Sequence, residues 1–155
     1  MLEIFYFILG LINSVFLIFI FLIRRNRLAL LKRIGWVYLL LAIPAVCGIF
    51  LVAEEQKTVR YSIFLAIFLA FLALEWLFDY VFKIDFRENL KKNWKLTVPY
   101  LCLYYAMNYG FVVMPWKTSL VWGIIMLILF VIQIITNIRS HPKTVWKITA
   151  RSGLS

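Results

Sequence analysis

The chain has 155 residues, 65% of them hydrophobic and 18% aromatic, with a mean hydropathy of +0.92. Soluble domains average about 45–50% apolar residues, so this composition excludes a soluble globular protein and indicates an integral membrane one. Seventeen Lys and Arg against seven Asp and Glu give a net charge of +10, but the bases gather in short segments between apolar runs, a pattern of membrane topology and attraction to anionic lipid headgroups that disfavours a nucleic-acid partner.

The first apolar run, about 4–23, lacks the basic start and small-residue cleavage site of a signal peptide, so it is expected to be a retained helix. Gly10 and Ser14 form a small step on it that permits close helix approach. Five bases follow, Arg24, Arg25, Arg27, Lys32 and Arg33, and the positive-inside rule places them in the cytoplasm and the N-terminus outside. The second run, about 34–53, begins with Trp36 and Tyr38 as interface residues and carries Pro44 near its centre, where a kink is expected. The segment from Glu54 to Arg60 has two acids and two bases, a balance that suits the outside.

The third run, about 61–82, has Ser62, Ala66 and Ala70 at four-residue spacing, a stripe for close approach by another helix. It also carries Glu75 and Asp79. An acid inside a membrane segment costs roughly 2.5–3.5 kcal/mol on insertion scales, so this pair is the strongest pointer to a site. The basic stretch 83–95, with Phe86, Leu90 and Trp94 at helical spacing, is expected to form a cytoplasmic surface helix. The fourth run, about 97–114, is the most polar, with Pro99 assigned to its first turn; a tight outer turn over 115–118 leads into the fifth run, about 119–138, and a basic tail, 139–155.

The expected fold is therefore all-α: a single membrane domain, a polytopic bundle of five transmembrane helices, N-out and C-in, multi-pass in the cell membrane. Of the 17 bases only Lys57, Arg60 and Lys117 fall outside in this arrangement. The alternative of four spans, with the tyrosine-rich fourth run re-entrant, would put two successive basic regions on opposite sides. Trp36, Trp94, Trp116 and Trp146 are expected as interface anchors.

In this topology Glu75 lies roughly 10 Å from the cytoplasmic end, Tyr104 similarly deep, Gln133 a little shallower, and Asn108 near the middle. Glu75 and Asp79, Tyr100 with Tyr104 and Asn108, and Gln133 with Asn137 are each spaced four residues apart, so three helices offer polar faces at one level. Polar groups in hydrocarbon need partners, and each other is the nearest supply, so Glu75, Asp79, Tyr104, Asn108 and Gln133 are expected to line one cavity open to the cytoplasm. Desolvation and Asp79 as a like-charged neighbour would favour the protonated form of Glu75 and suit it to carrying a proton. A purely structural role, with these groups as packing glue, is the competing reading.

Other chemistry finds little support. Cys47 and Cys102 have no paired spacing and are expected as small buried hydrophobes, and His141 alone offers no metal cluster, so no metal and no cofactor are expected. Leu77, Tyr80 and Lys83 fit a loose sterol-contact pattern that arises readily by chance. The Glu75 and Asp79 pair resembles half of the acidic motifs of membrane prenyltransferases, but no second acidic cluster lies in the membrane. Pro99, Tyr100 and Leu101 with Asn108 and Tyr109 resemble a piece of the last helix of the translocator protein family; the match covers about a dozen residues on the fourth helix and lacks the family's tryptophan-proline pattern, so no family follows from it. Three functions remain: a transporter-like module binding a small ligand, proton or cation at Glu75; an enzyme acting on a lipid or isoprenoid with the two acids as an acid/base pair; and an accessory subunit of a membrane complex. Protein partners would be a second copy or another membrane protein.

Overall fold

A computed structural model describes residues 1–26, 35–82 and 94–140. The expected basic segments at 27–34 and 83–93 and the tail 141–155 lie outside the described residues. Among the described residues five helices are long and apolar enough to cross a membrane: α1 Leu2–Asn26, α2 Gly35–Glu54, α3 Arg60–Val81, α4 Trp94–Thr118 and α5 Leu120–Ser140. Among the described residues there is no strand. Each helix packs on its neighbour in sequence, α5 closes the ring against α1, and α1 also reaches α4.

The ring is drawn together where a side chain is missing. A Cβ on Gly10 would lie 2.7 Å from Cδ1 of Phe111, and one on Gly110 would lie 2.5 Å from Cγ of Phe64, so α1 against α4 and α3 against α4 approach at glycines, as helices without a hydrophobic driving force in lipid must. The core itself is large and aromatic: Tyr6, Phe21, Phe68, Phe71, Tyr104 and Phe111 are all fully enclosed. Phe111 stands between Tyr6 and Phe68 with ring centroids 5.2 Å from each.

Several sequence expectations shift here. The small stripe of α3 does not pack within the chain: Ala66 and Ala70 are exposed, and α3 turns Tyr61, Leu65, Phe68, Phe71 and Leu72 inward. Cys47 and Cys102 are exposed on the outer surface of the bundle, not buried. Among the described residues α4 covers Trp94 through Pro115 to Thr118, so Pro99 lies beyond a first turn, Trp94 and Lys95 belong to the helix, and Ser119 alone separates α4 from α5. The irregularity of α2 lies one turn ahead of Pro44. A proline ring clashes with the carbonyl four residues back, and that carbonyl, of Leu40, instead accepts from the Ile43 N–H at 3.1 Å.

At the end where α1 starts, the Glu55 carboxylate accepts from the Leu2 N–H at 3.1 Å and pairs with the terminal ammonium at 3.5 Å, while Lys57 pairs with Glu3 at 3.2 Å. An acid at the positive end of a helix dipole is favourable, so the segment between α2 and α3 is tied to the head of α1. The Glu3 carboxylate, chiefly through its hydrogen bond, holds the Lys57 ammonium above its ordinary value.

Candidate functional site

The polar interior begins on α3. Regular α-helix gives way after Trp76 to a π-helical turn, Leu77–Val81, closed by the Phe82 N–H donating to the Leu77 carbonyl at 2.9 Å. Such turns hold one more residue than an α-turn and occur often at functional sites. The two acids flank its start. Glu75 is half-buried on the last regular turn, whereas Asp79 is exposed within the wider turn, so the equal spacing of the sequence does not give the two acids equal environments. Tyr80, next to Asp79, brings its hydroxyl towards the start of α2: a Cβ on Gly35 would lie 3.3 Å from it.

Helix α4 supplies the phenols. The Tyr100 hydroxyl donates to Oε1 of Glu75 at 2.7 Å, and one turn deeper the Tyr104 hydroxyl donates to Oε1 of Gln133 on α5 at 3.2 Å. The Phe71 ring packs on both tyrosines, with centroids 5.5 Å and 6.1 Å away, and Phe21 of α1 meets Tyr104 at 6.3 Å. The Arg24 guanidinium then lies over the Phe21 ring, 5.5 Å from its centroid. Asn108, a further turn along α4, turns its amide back to the Tyr104 carbonyl at 2.9 Å and so meets its own helix rather than the Glu75 pair. Gln133 is completely buried, and its Nε2 has no hydrogen-bond partner among the described residues.

Two residues that the sequence reading passed over complete the set. Tyr38, taken there as an interface residue, is buried and donates its hydroxyl to Oδ1 of Asn13 on α1 at 2.8 Å; Asn13, also fully buried, reaches the Met107 sulfur at 3.9 Å. The signal for Asn13 was present in the sequence: it shares a helical face with Tyr6, Gly10 and Leu17, the buried stripe of α1.

Thus all five helices contribute a polar group to the interior: Asn13, Tyr38, Glu75, Tyr100 with Tyr104 and Asn108, and Gln133. Of the residues singled out from sequence, Glu75, Tyr104 and Gln133 sit in this array, Asn108 borders it through the Tyr104 backbone, and Asp79 is exposed on the π-turn one step along the same helix. Asn137 is half-buried, and its carbonyl accepts from the Ser140 hydroxyl at 2.7 Å. Among the described residues no group of three His, Cys, Asp or Glu side chains is placed to hold a metal ion. Compared with models of protein families, with curated proteins and with solved structures, the chain matches none.

Proposed function

We propose that this is a multi-pass protein of the cell membrane, N-terminus outside and C-terminus in the cytoplasm, whose polar interior binds a proton, cation or small ligand in a transporter-like role centred on Glu75. The orientation rests on the charges in the sequence: 14 of the 17 bases belong to the segments that follow the first, third and fifth apolar runs, and 3 to those that follow the second and fourth, so the positive-inside rule puts the ends of α1, α3 and α5 in the cytoplasm. Anionic headgroups are the partners of that basic end.

One observation carries the site. An ionisable carboxyl, held by Tyr100 at 2.7 Å, lies one turn of α4 from a fully buried amide held by Tyr104. Ionisable groups inside a bundle mark ion and proton pathways in membrane proteins. In this reading Glu75 binds the cargo, Tyr104, Asn108 and Gln133 line the interior, and Asp79 stands at the entrance. Reconstituted into liposomes, the protein is expected to carry a proton or cation flux that Glu75→Gln abolishes; an undiminished flux in that variant would remove Glu75 from the mechanism.

A further inference from the structure

We propose that the α4 face carrying Cys102, Tyr105 and Tyr109 is the contact surface for a second copy of this chain, the two copies being related by a two-fold axis along the membrane normal. This goes beyond the transporter-like reading and does not depend on it.

Elsewhere the outward faces at mid-span are aliphatic: α1 turns out Ile8, Ile12 and Val15, and α5 turns out Ile124, Ile128 and Val131. Lipid acyl chains suit such faces. Helix α4 breaks the pattern, because Tyr105 is 49% and Tyr109 60% exposed, and neither hydroxyl has a hydrogen-bond partner among the described residues. At 1.5 Å per residue both lie at least about 13 Å from either end of α4, well inside a hydrocarbon core of about 30 Å. Their rings are also braced against the bundle, Tyr105 on Phe130 of α5 with centroids 6.3 Å apart and Tyr109 on Phe64 of α3 at 6.1 Å. A hydroxyl left unpaired in hydrocarbon is unfavourable, and acyl chains carry no acceptor for it.

Whatever covers this face must bring hydrogen-bonding groups to the middle of the membrane. A second copy does so by symmetry: a two-fold axis along the membrane normal sets every residue of α4 at the same depth as its counterpart, so each tyrosine meets its own like. A phenol carries one donor hydrogen and acceptor lone pairs, so two facing tyrosines are complementary in charge with no further group. The spacing fits a helix pair as well. Val98, Cys102, Tyr105, Tyr109, Val112 and Trp116 recur at alternating steps of four and three, the seam along which two helices pack at about 20°. Of these six, Val112 is half-buried and the other five are exposed.

The test uses the chain's own two thiols, both exposed, of which Cys102 belongs to the seam and Cys47 lies on α2. Oxidation of the full chain in lipid vesicles with copper phenanthroline should give a covalent dimer in Cys47→Ser and none in Cys102→Ser. Dilution of the vesicles with lipid, read by energy transfer between copies labelled at the C-terminus, measures the association itself. Replacing both Tyr105 and Tyr109 by Phe keeps the braced rings and should weaken that association by about fivefold or more, as expected for the loss of two interhelical hydrogen bonds of average strength. Equal cross-linking through either thiol would mean random collision and would overturn the assignment of this face. An association unchanged in the double variant would overturn the phenols as the contact. A chain that stays monomeric at every dilution would overturn the second copy and leave the face to a lipid or to another membrane protein.

Discussion

Adding a single methyl group at Gly110 should loosen the α3–α4 seam, and the structure gives the size of the effect. An ideal Cβ there would stand 2.5 Å from Cγ and 2.9 Å from Cβ of Phe64, the root of that side chain rather than its mobile end, so the helices themselves must part. Overpacking of this kind costs about 1–3 kcal/mol, offset by about 0.5–1 kcal/mol because Ala is the better helix residue. The net expectation for Gly110→Ala is a loss of up to about 2.5 kcal/mol, centred a little above about 1 kcal/mol. Gly48→Ala is the control: its Cβ meets Phe5 Cε1 at 3.0 Å and Leu65 Cδ1 at 3.1 Å, the far ends of side chains that can give way, and the net change should stay within about 0.5 kcal/mol. Unfolding in mixed detergent micelles, followed by tryptophan fluorescence, measures both. Because Glu75 and Tyr100 face each other across the same seam, Gly110→Ala should also weaken the flux assigned to Glu75. If Gly110→Ala is as stable as the parent chain while Gly48→Ala is destabilised, the packing of α3 on α4 described above is wrong.

Three further outcomes are expected. Tyr6 is buried and its hydroxyl has no partner among the described residues; leaving a polar group so costs about 1–3 kcal/mol, so Tyr6→Phe should raise stability by about 1 kcal/mol in the same unfolding assay, and a loss of stability would mean that the hydroxyl is bonded. The ammonium of Lys57 is held above its ordinary value of 10.5 by Glu3, so its contribution is complete below that value and is lost as the pH rises through the higher folded value. Unfolding measured above pH 10 should therefore show a decline that Glu3→Gln removes. For topology, a cysteine at Lys57 in a chain with Cys47 and Cys102 replaced by Ala should react with a membrane-impermeant maleimide on intact cells, and one at Lys95 should not; the reverse pattern would invert the orientation.

Most of the fold was open to sequence reading because a bilayer imposes length. Each helix must hide its backbone polar groups across roughly 30 Å, so apolar runs and their basic flanks mark the spans within a few residues. The run at 97–114 was placed too short at both ends because Pro99 and Pro115 were treated as boundaries, whereas α4 carries both within it. Packing was far less legible. Apolar faces look alike whether they meet lipid or protein, so the stripe of Ser62, Ala66 and Ala70 gave no sign that α3 would turn its large residues inward instead. The same ambiguity hid Tyr38, whose place near a span end suits an interface anchor as well as a buried donor. The π-turn left no mark in the sequence at all. Equal spacing of Glu75 and Asp79 assumes 100° per residue throughout, and the turn that breaks this rule begins between them.

The hydrogen bonds among these helices admit a structural role as well as a functional one, and magnitudes separate the two. Measured interhelical side-chain hydrogen bonds in a membrane protein average about 0.6 kcal/mol and reach about 1.7 kcal/mol. A carboxyl within a membrane span costs about 2.5–3.5 kcal/mol on insertion scales. On those scales a single bond such as that from Tyr100 to Glu75 is worth less than the cost of the acid. Leu in place of Glu75 would bind the helices at no such expense, as the neighbouring Phe71 and Leu72 already do. The transporter-like role proposed above would account for an acid where Leu would pack. Among these interior groups Glu75 is the carboxyl, whereas Asn13 and Tyr38 are an amide and a phenol bonded to each other, so the insertion cost of an acid attaches to Glu75.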